Sequence, residues 1–235
     1  VQSSQQELRV RAMLARSGVS LERVRFLSVQ TDRGWMRDIA PFFVMRDGAR
    51  EKSLQGVHFS FNGWAKYDNW RRDATIPAFL SIKLRFPMRK AAWKDHHVIL
   101  EGGAVDVNGD GVMLATEECL LDEISQCRNP GFIKKDYEEL LKRWLGIKQV
   151  IWLEKGIVGD DTHGHVDDVC RFVGRDTVVL CAEPNSADPN HVILGVNRER
   201  LESVRLVDGA RLQIVELPMP EPLVFDGVRL PASYA

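Results

Sequence analysis

Residues 98–117 read VILEGGAVDVNGDGVMLATE, and this stretch sets the architecture. Ala104 to Val107 and Val112 to Ala115 are β-like runs joined by Asn108-Gly109-Asp110-Gly111, a hairpin signal. Val98 to Leu100 opens a strand that leads into Glu101-Gly102-Gly103. Beyond the hairpin, Lys134 to Leu145 spaces Tyr137, Leu140, Leu141 and Trp144 on one helical face. Gly146 ends that helix, and Val150 to Leu153 is the next strand. The same order of strand, strand, helix, strand returns over 166–217: His165 to Val173, Thr177 to Ala182, a helix over Asn197 to Val207, then Leu212 to Leu217. A unit recurring at roughly 50 residues fits an array of like supersecondary modules. It does not fit a doubly wound sheet, because a hairpin recurs inside each unit.

Upstream the pattern is less regular. Residues 5–17 place Leu8, Val10, Met13 and Leu14 near one helical face, with Gly18 as C-cap. Val24 to Val29 reads as a strand. Trp35 to Met45 carries a polar cluster and then the apolar run IAPFFVM, expected to be a buried strand. Asp47-Gly48 reads as a turn, and Val57 to Phe61 alternates as a strand would. Residues 63–97 are rich in Trp, Arg and Lys, with Pro77 and Pro87 as breakers.

The 235 residues are 44% hydrophobic and 28% charged, with a net charge of −1. This balance is that of a globular chain able to bury a core. It gives no pull toward nucleic acid or an anionic membrane. No apolar run approaches the roughly 20 residues that span a bilayer, and no signal peptide is visible at the start. Cys119, Cys127, Cys170 and Cys181 are irregularly spaced. Their positions make neither a zinc knuckle nor a C-x-x-C pair, so free thiols in the cytoplasm are expected.

Three constellations carry chemistry. Residues 160–168, DDTHGHVDD, put His165 and Asp167 on one face if His165 to Val173 is a strand. A metal-free acid/base pair, a structural turn, and a metal-dependent hydrolase site of His163, His165 and Asp167 all remain open there. Residues 31–41, TDRGWMRDIAP, bring Trp35, Arg37 and Asp38 to the mouth of a strand. A packed Trp beside an Arg–Asp surface pair would produce the same letters. In the third, Asp106, Asn108, Asp110, Gly111 and Glu117 satisfy an EF-hand calcium pattern. That motif needs a helix on each side, and β-alternating residues flank it here, so it reads as a hairpin turn. Glu101 ends a buried strand before two glycines that permit close approach. Together Trp35, Asp38, Glu101, His165 and Asp167 suit a flat cation. A guanidinium presents its N–H groups to carboxylates in a fork, and Trp can cover its face.

The segments WMRDIAP, FNGWAKY, LEGGAVDVNGDGVMLATEECLLD, RNPG, VIWLEKGIVGDDTHGHVDD, ELPMP and LPASYA resemble the agmatine deiminases, within the guanidino-modifying superfamily that includes bacterial-type peptidylarginine deiminases. The likeness runs in order from about residue 20 to the end. It implies an α/β fold, a pseudo-fivefold propeller of ββαβ modules around a central site. It implies that Asp38 and Asp167 clamp the guanidinium and that His165 is the general acid/base. Glu101 orients the site, and Trp35 lines the substrate channel. The implied reaction converts agmatine to N-carbamoylputrescine and ammonia through a covalent Cys adduct, with no cofactor and no metal. The implied partner is a small guanidine substrate, agmatine first, with self-association left open. Arginine or peptidyl-arginine as substrate, and a catalytically dead remnant, stay open as alternatives.

Two departures from the family pattern stand out. The family nucleophile lies in a G-G-x-x-H-C-type segment, which this sequence lacks. Residues 1–235 are therefore expected to form a single deiminase-type domain, an incomplete ring short of sequence at both ends, that does not turn over agmatine. Cys119 occupies a position that the family also holds as Cys, beside the nucleophile. The string NGWAKYDNW at 62–70 also replaces the N-A-W-G-G-K-Y that many members carry near the substrate entrance. This departure bears on which guanidine is taken, not on the guanidine chemistry itself.

Overall fold

The computed structural model describes residues 1–47 and 52–235. The expected turn at Asp47-Gly48 lies outside the described residues. Helix α1 (Ser4–Arg16) is capped by the Ser3 hydroxyl, which accepts from the Gln6 N–H at 3.1 Å, and Gly18 follows in the left-handed region. Its apolar stripe is not covered, however: Leu8 and Met13 are exposed. Residues 24–29 form no strand. A single turn, α2 (Met36–Ile39), leads into β1 (Phe42–Asp47), which pairs antiparallel with β2 (Lys52–His58). The first of these strands is not the buried strand expected, since Phe43 and Met45 are exposed.

Helix α3 (Ile76–Leu84) then crosses over to β3 (Met88–Lys90), parallel to β2. Pro77 sits in the first turn of α3, where a missing N–H costs nothing. It opens the helix rather than breaking it. A small hairpin of β4 (Ala92–Trp93) and β5 (His96–His97) follows. The next unit has β6 (Val105–Val107) antiparallel to β7 (Val112–Thr116), the one-turn α4 (Glu117–Leu121), α5 (Lys134–Leu145), and β8 (Gln149–Leu153) parallel to β7. Its hairpin turn is built by Asn108, whose Oδ1 accepts from the N–H groups of Asp110 and Val112. Asp106 instead takes Arg171 Nε at 2.9 Å, so the acidic letters of the calcium pattern point elsewhere.

The third unit has β9 (Cys170–Phe172) antiparallel to β10 (Thr177–Ala182). Helix α6 (Pro189–Ser203) then leads to β11 (Gln213–Pro218), parallel to β10. This helix starts well before the expected Asn197, because Asp188 caps it and Pro189 opens it. A last hairpin joins β12 (Val224–Phe225) to β13 (Val228–Arg229). Among the described residues there are thus three three-stranded sheets of one pattern: hairpin, helix, parallel strand. The units begin at Phe42, Val105 and Cys170, so the repeat is longer than the sequence pattern suggested. The helix and third strand of the first unit were hidden within the stretch over 63–97.

Consecutive units share cores. Every residue of β7 is buried, and its alternation sends side chains to opposite sides. Met113 and Ala115 pack with Val57, Phe59, Tyr137, Leu140 and Leu141. Val112 and Leu114 pack with Ile151, Leu153, Val178, Leu180, Leu194 and Leu201. A third cluster joins Ile39, Phe61, Trp64 and Ile76. Among the described residues no helix is long and apolar enough to cross a membrane.

Candidate active site

Each unit is entered through a short helical turn: Met36–Ile39, Gly102–Ala104 and Val166–Asp168. Asp38, Glu101 and His165 lie at these turns, one to each, so that successive members stand one repeat apart. The turns pack together, and Gly103 is at their centre. A Cβ placed on Gly103 would lie 2.4 Å from His165 Nδ1 and 3.0 Å from both Asp167 Oδ2 and Asp38 Oδ1. Only glycine leaves room for these three side chains to meet.

Both Asp38 oxygens are held. Oδ1 accepts from the Gly103 N–H at 3.0 Å and Oδ2 from the Trp64 indole N–H at 3.1 Å. Trp64 and Ala65 adopt left-handed backbone to deliver that indole, at a cost of about 1–2 kcal/mol each. His165 Nδ1 lies 3.9 Å from Asp38 Oδ1 and 3.9 Å from Asp167 Oδ1. Burial pushes both aspartate carboxyls above their ordinary range, and the imidazole pulls them back. Buried carboxylates that their neighbours compensate only in part favour a cation between them. The exposed Arg37 already lays its own guanidinium against Asp167, Nε to Oδ2 at 3.2 Å.

The expected strand over His165 to Val173 is confined to Cys170–Phe172, so the two-residue alternation argument fails for His165 and Asp167. They share the site because His165 precedes a 3-10 turn that carries Asp167. Asp160 shapes the approach: its Oδ2 accepts from the N–H groups of Gly164 and His165 at 2.8 and 2.9 Å. His163 is turned away, with Nε2 2.6 Å from Asp122 Oδ2. Among the described residues, the metal set of His163, His165 and Asp167 is therefore not assembled.

Glu101 is fully buried and accepts from Arg128 Nε at 3.0 Å; both side chains are 0% exposed. Arg128 also donates to the carbonyls of Gln126 and Thr162. Behind Glu101 lies Cys119, set at the start of α4 by a Thr116 cap that accepts its N–H at 3.1 Å. Complete burial pushes the Cys119 thiol well up, away from the reactive thiolate form. Cys170 and Cys181 are buried and Cys127 is half-buried, all four thiols being free. Trp35 remains 65% exposed at the start of α2, outside the buried set.

The sequence reading missed Arg128, Trp64 and Asp160. The RNPG and FNGWAKY strings held two of them, but neither pattern says which carboxylate it serves. A cavity of about 490 Å³ opens between β10, α6 and the end of β11, with Leu180, His191, Leu194 and Arg198 in its wall. It contains none of the converging residues.

The structure is therefore a mixed α/β protein of repeated hairpin–helix–strand units whose entry turns enclose a buried carboxylate–imidazole cluster. The chain belongs to the family of Porphyromonas-type peptidyl-arginine deiminases, whose model matches residues 1–235. It is 31% identical over 215 residues to an agmatine deiminase of Pseudomonas fluorescens, covering 89% of this chain and 55% of that one. It is 34% identical over 214 residues to an agmatine deiminase of Medicago truncatula, covering 86% and 55%. The chain thus spans about half the length of these relatives. Among solved structures, a substrate-bound agmatine deiminase of C. jejuni matches with a TM-score of 0.80 and 31% identity, over 95% of this chain and 62% of that one. An agmatine deiminase of Enterococcus faecalis matches with a TM-score of 0.78 and 26% identity, over 99% and 64%. The mixed α/β fold is theirs.

Proposed function

We propose that this chain supplies the guanidinium-binding part of an agmatine deiminase, a cytoplasmic hydrolase forming N-carbamoylputrescine and ammonia. The observation that carries the proposal is the meeting of Asp38, Asp167 and His165 around the Cα of Gly103. A planar cation between the two carboxylates would be held bidentately from either side. Arg37 on Asp167 is the same recognition made within the chain. His165 is the group that protonates departing ammonia and then activates water. Glu101, fixed by Arg128, orients that chemistry, and Trp35 covers the route in. The three units belong to a fivefold ring of such modules.

The covalent step needs a thiolate at the guanidinium carbon. Cys119 is buried and its thiol is pushed up, so it is not that nucleophile. The proposal assigns the role to a G-G-x-x-H-C-type segment outside these 235 residues. By that reading the chain alone binds the guanidine without releasing ammonia.

Calorimetric titration with agmatine tests the reading. Asp38→Asn or Asp167→Asn removes a charge-assisted hydrogen bond worth about 1.5–3 kcal/mol, so affinity should fall between about ten- and 150-fold. Unchanged affinity in both variants would overturn it. Tighter binding of arginine or an arginyl peptide than of agmatine would move the substrate to those alternatives. In a form carrying the nucleophilic cysteine, His165→Ala should abolish ammonia release.

A further inference from the structure

Glu101, Cys119 and His165 form a second constellation that deimination does not use as a set. One donor atom of each lies within 4.8 Å of the others, and all three residues are buried. Two of the donor residues carry an atom that has no hydrogen-bond partner among the described residues. Glu101 Oε1 is taken by Arg128, but Oε2 is buried without a hydrogen bond; His165 Nδ1 faces the aspartates, but Nε2 is buried without one. Buried polar atoms left bare cost about 1–3 kcal/mol each. Two such atoms on residues that also approach one thiol mark a place shaped for an electrophile.

We propose that Glu101, Cys119 and His165 bind one borderline-soft divalent cation, zinc foremost, through carboxylate, thiolate and imidazole. Sulfur, nitrogen and oxygen donors in this mixture suit zinc over magnesium or calcium. Bond lengths of about 2.0–2.3 Å place tetrahedral donors roughly 3.3–3.8 Å apart. Donors that all lie within 4.8 Å of one another therefore need to close by no more than roughly 1–1.5 Å to reach that geometry. Three protein donors leave a fourth position for water. On binding, the Cys119 S–H bond breaks, a sulfur–metal bond forms, and the proton passes to buffer. No oxidant or reductant is involved. The carboxylates of Asp38 and Asp167 favour a cation here, while the buried Arg128 guanidinium on Glu101 opposes it, and the thiolate formed at Cys119 supplies the further negative charge. If the deiminase reading holds, the metal also withdraws His165 from proton transfer, so zinc would be an inhibitor; the site itself rests on geometry alone.

Cobalt(II) is the probe, because thiolate coordination gives a charge-transfer absorption that carboxylate or imidazole alone does not. The 235-residue chain is titrated with cobalt(II) and then with zinc, with metal content and proton release measured alongside. One equivalent should bind with that absorption and release about one proton, and zinc should bleach it. Cys119→Ala should remove the absorption, and His165→Gln should weaken binding at least about tenfold, while Cys127→Ser changes neither. Absence of the absorption in the parent chain overturns the proposal. So does its survival in Cys119→Ala, or its loss in Cys127→Ser with Cys119 intact. His165→Gln covers the case in which Cys119→Ala fails to fold. None of these readouts depends on agmatine, so failure of the deiminase reading and failure of the metal site are separable.

Discussion

Arg128→Met should be the most damaging single substitution near the site, and its cost can be worked from contacts. The guanidinium is 0% exposed, as is the Glu101 carboxylate that it meets at 3.0 Å. Methionine keeps most of the apolar stem volume but removes the ion pair and two further donations, to the carbonyls of Gln126 and Thr162. An unpaired buried charge costs about 3–5 kcal/mol. At roughly 2–4 °C per kcal/mol for a domain of this size, the midpoint should fall by about 6–20 °C. Glu101→Gln should be milder, because Arg128 keeps its two carbonyl partners and the amide can still accept. The double variant should be more stable than the sum of the single losses predicts, by about 1–3 kcal/mol, since no charge is then stranded. Urea unfolding followed by tryptophan fluorescence would measure all four corners of this cycle. Additivity within about 0.5 kcal/mol, or an Arg128→Met loss under about 1 kcal/mol, would refute the assignment of Arg128 as the counter-charge that makes a buried Glu101 tolerable.

Gly103→Ala should leave a folded protein, at an overpacking cost of about 1–3 kcal/mol, yet lower agmatine affinity more than about tenfold. The new methyl displaces the His165 ring, and misplacement near about 1 Å is severe at a site; calorimetry beside thermal melting separates the two effects. Gly102→Ala should behave differently, with large loss of stability, because its Cβ would fall 2.1 Å from the Arg37 carbonyl oxygen, which cannot rotate aside. Asp168→Asn should stabilise the protein above about pH 6. Burial, with Asp167 and Asp160 adding to it, pushes the Asp168 carboxyl up to about 6. The protonated form is the one the fold favours, and that contribution is lost as pH rises through the folded value. Asparagine removes the penalty, a gain of about 2–3 kcal/mol at neutral pH that vanishes below about pH 4; urea midpoints across that range check it.

Helix α5 was legible because its apolar residues recur on one face and Gly146 closes it in the left-handed region. Helix α3 was not, because IPAFLSIKL is apolar on nearly every side and Ile82 points to solvent. With no stripe to read, Pro77 looked like a breaker. The strand expected after His165 failed for another reason. The Asp160 carboxylate captures the amides of residues 164 and 165, and this local bond holds the backbone out of the ladder. Asp38, Glu101, His165 and Asp167 were picked out as polar residues at expected strand ends, the family likeness supplied only their individual roles, and the structure brings the four side chains together. Arg128 could not be found that way. Its partner is far along the chain, and an arginine in a polar string carries no mark of total burial.

The spacing of the site residues has a simple origin. Asp38, Glu101 and His165 stand four or five residues ahead of the first strand of three successive units, Asp38 within the entry turn and the other two at its N-cap. Modules that pack side by side through shared strands such as β7 must bring equivalent turns close together, because each buries one face on its neighbour. Convergence of acidic and basic side chains that stand a full repeat apart in sequence is thus a consequence of repetition, with no long-range coincidence required. It also explains why the chemistry can differ from turn to turn. The backbone places a residue at the centre from each unit, while the letter at that place decides whether it arrives as a carboxylate or an imidazole. Gly103 then acts as the spacer of the assembly, since the middle turn must present no side chain where the outer two present theirs.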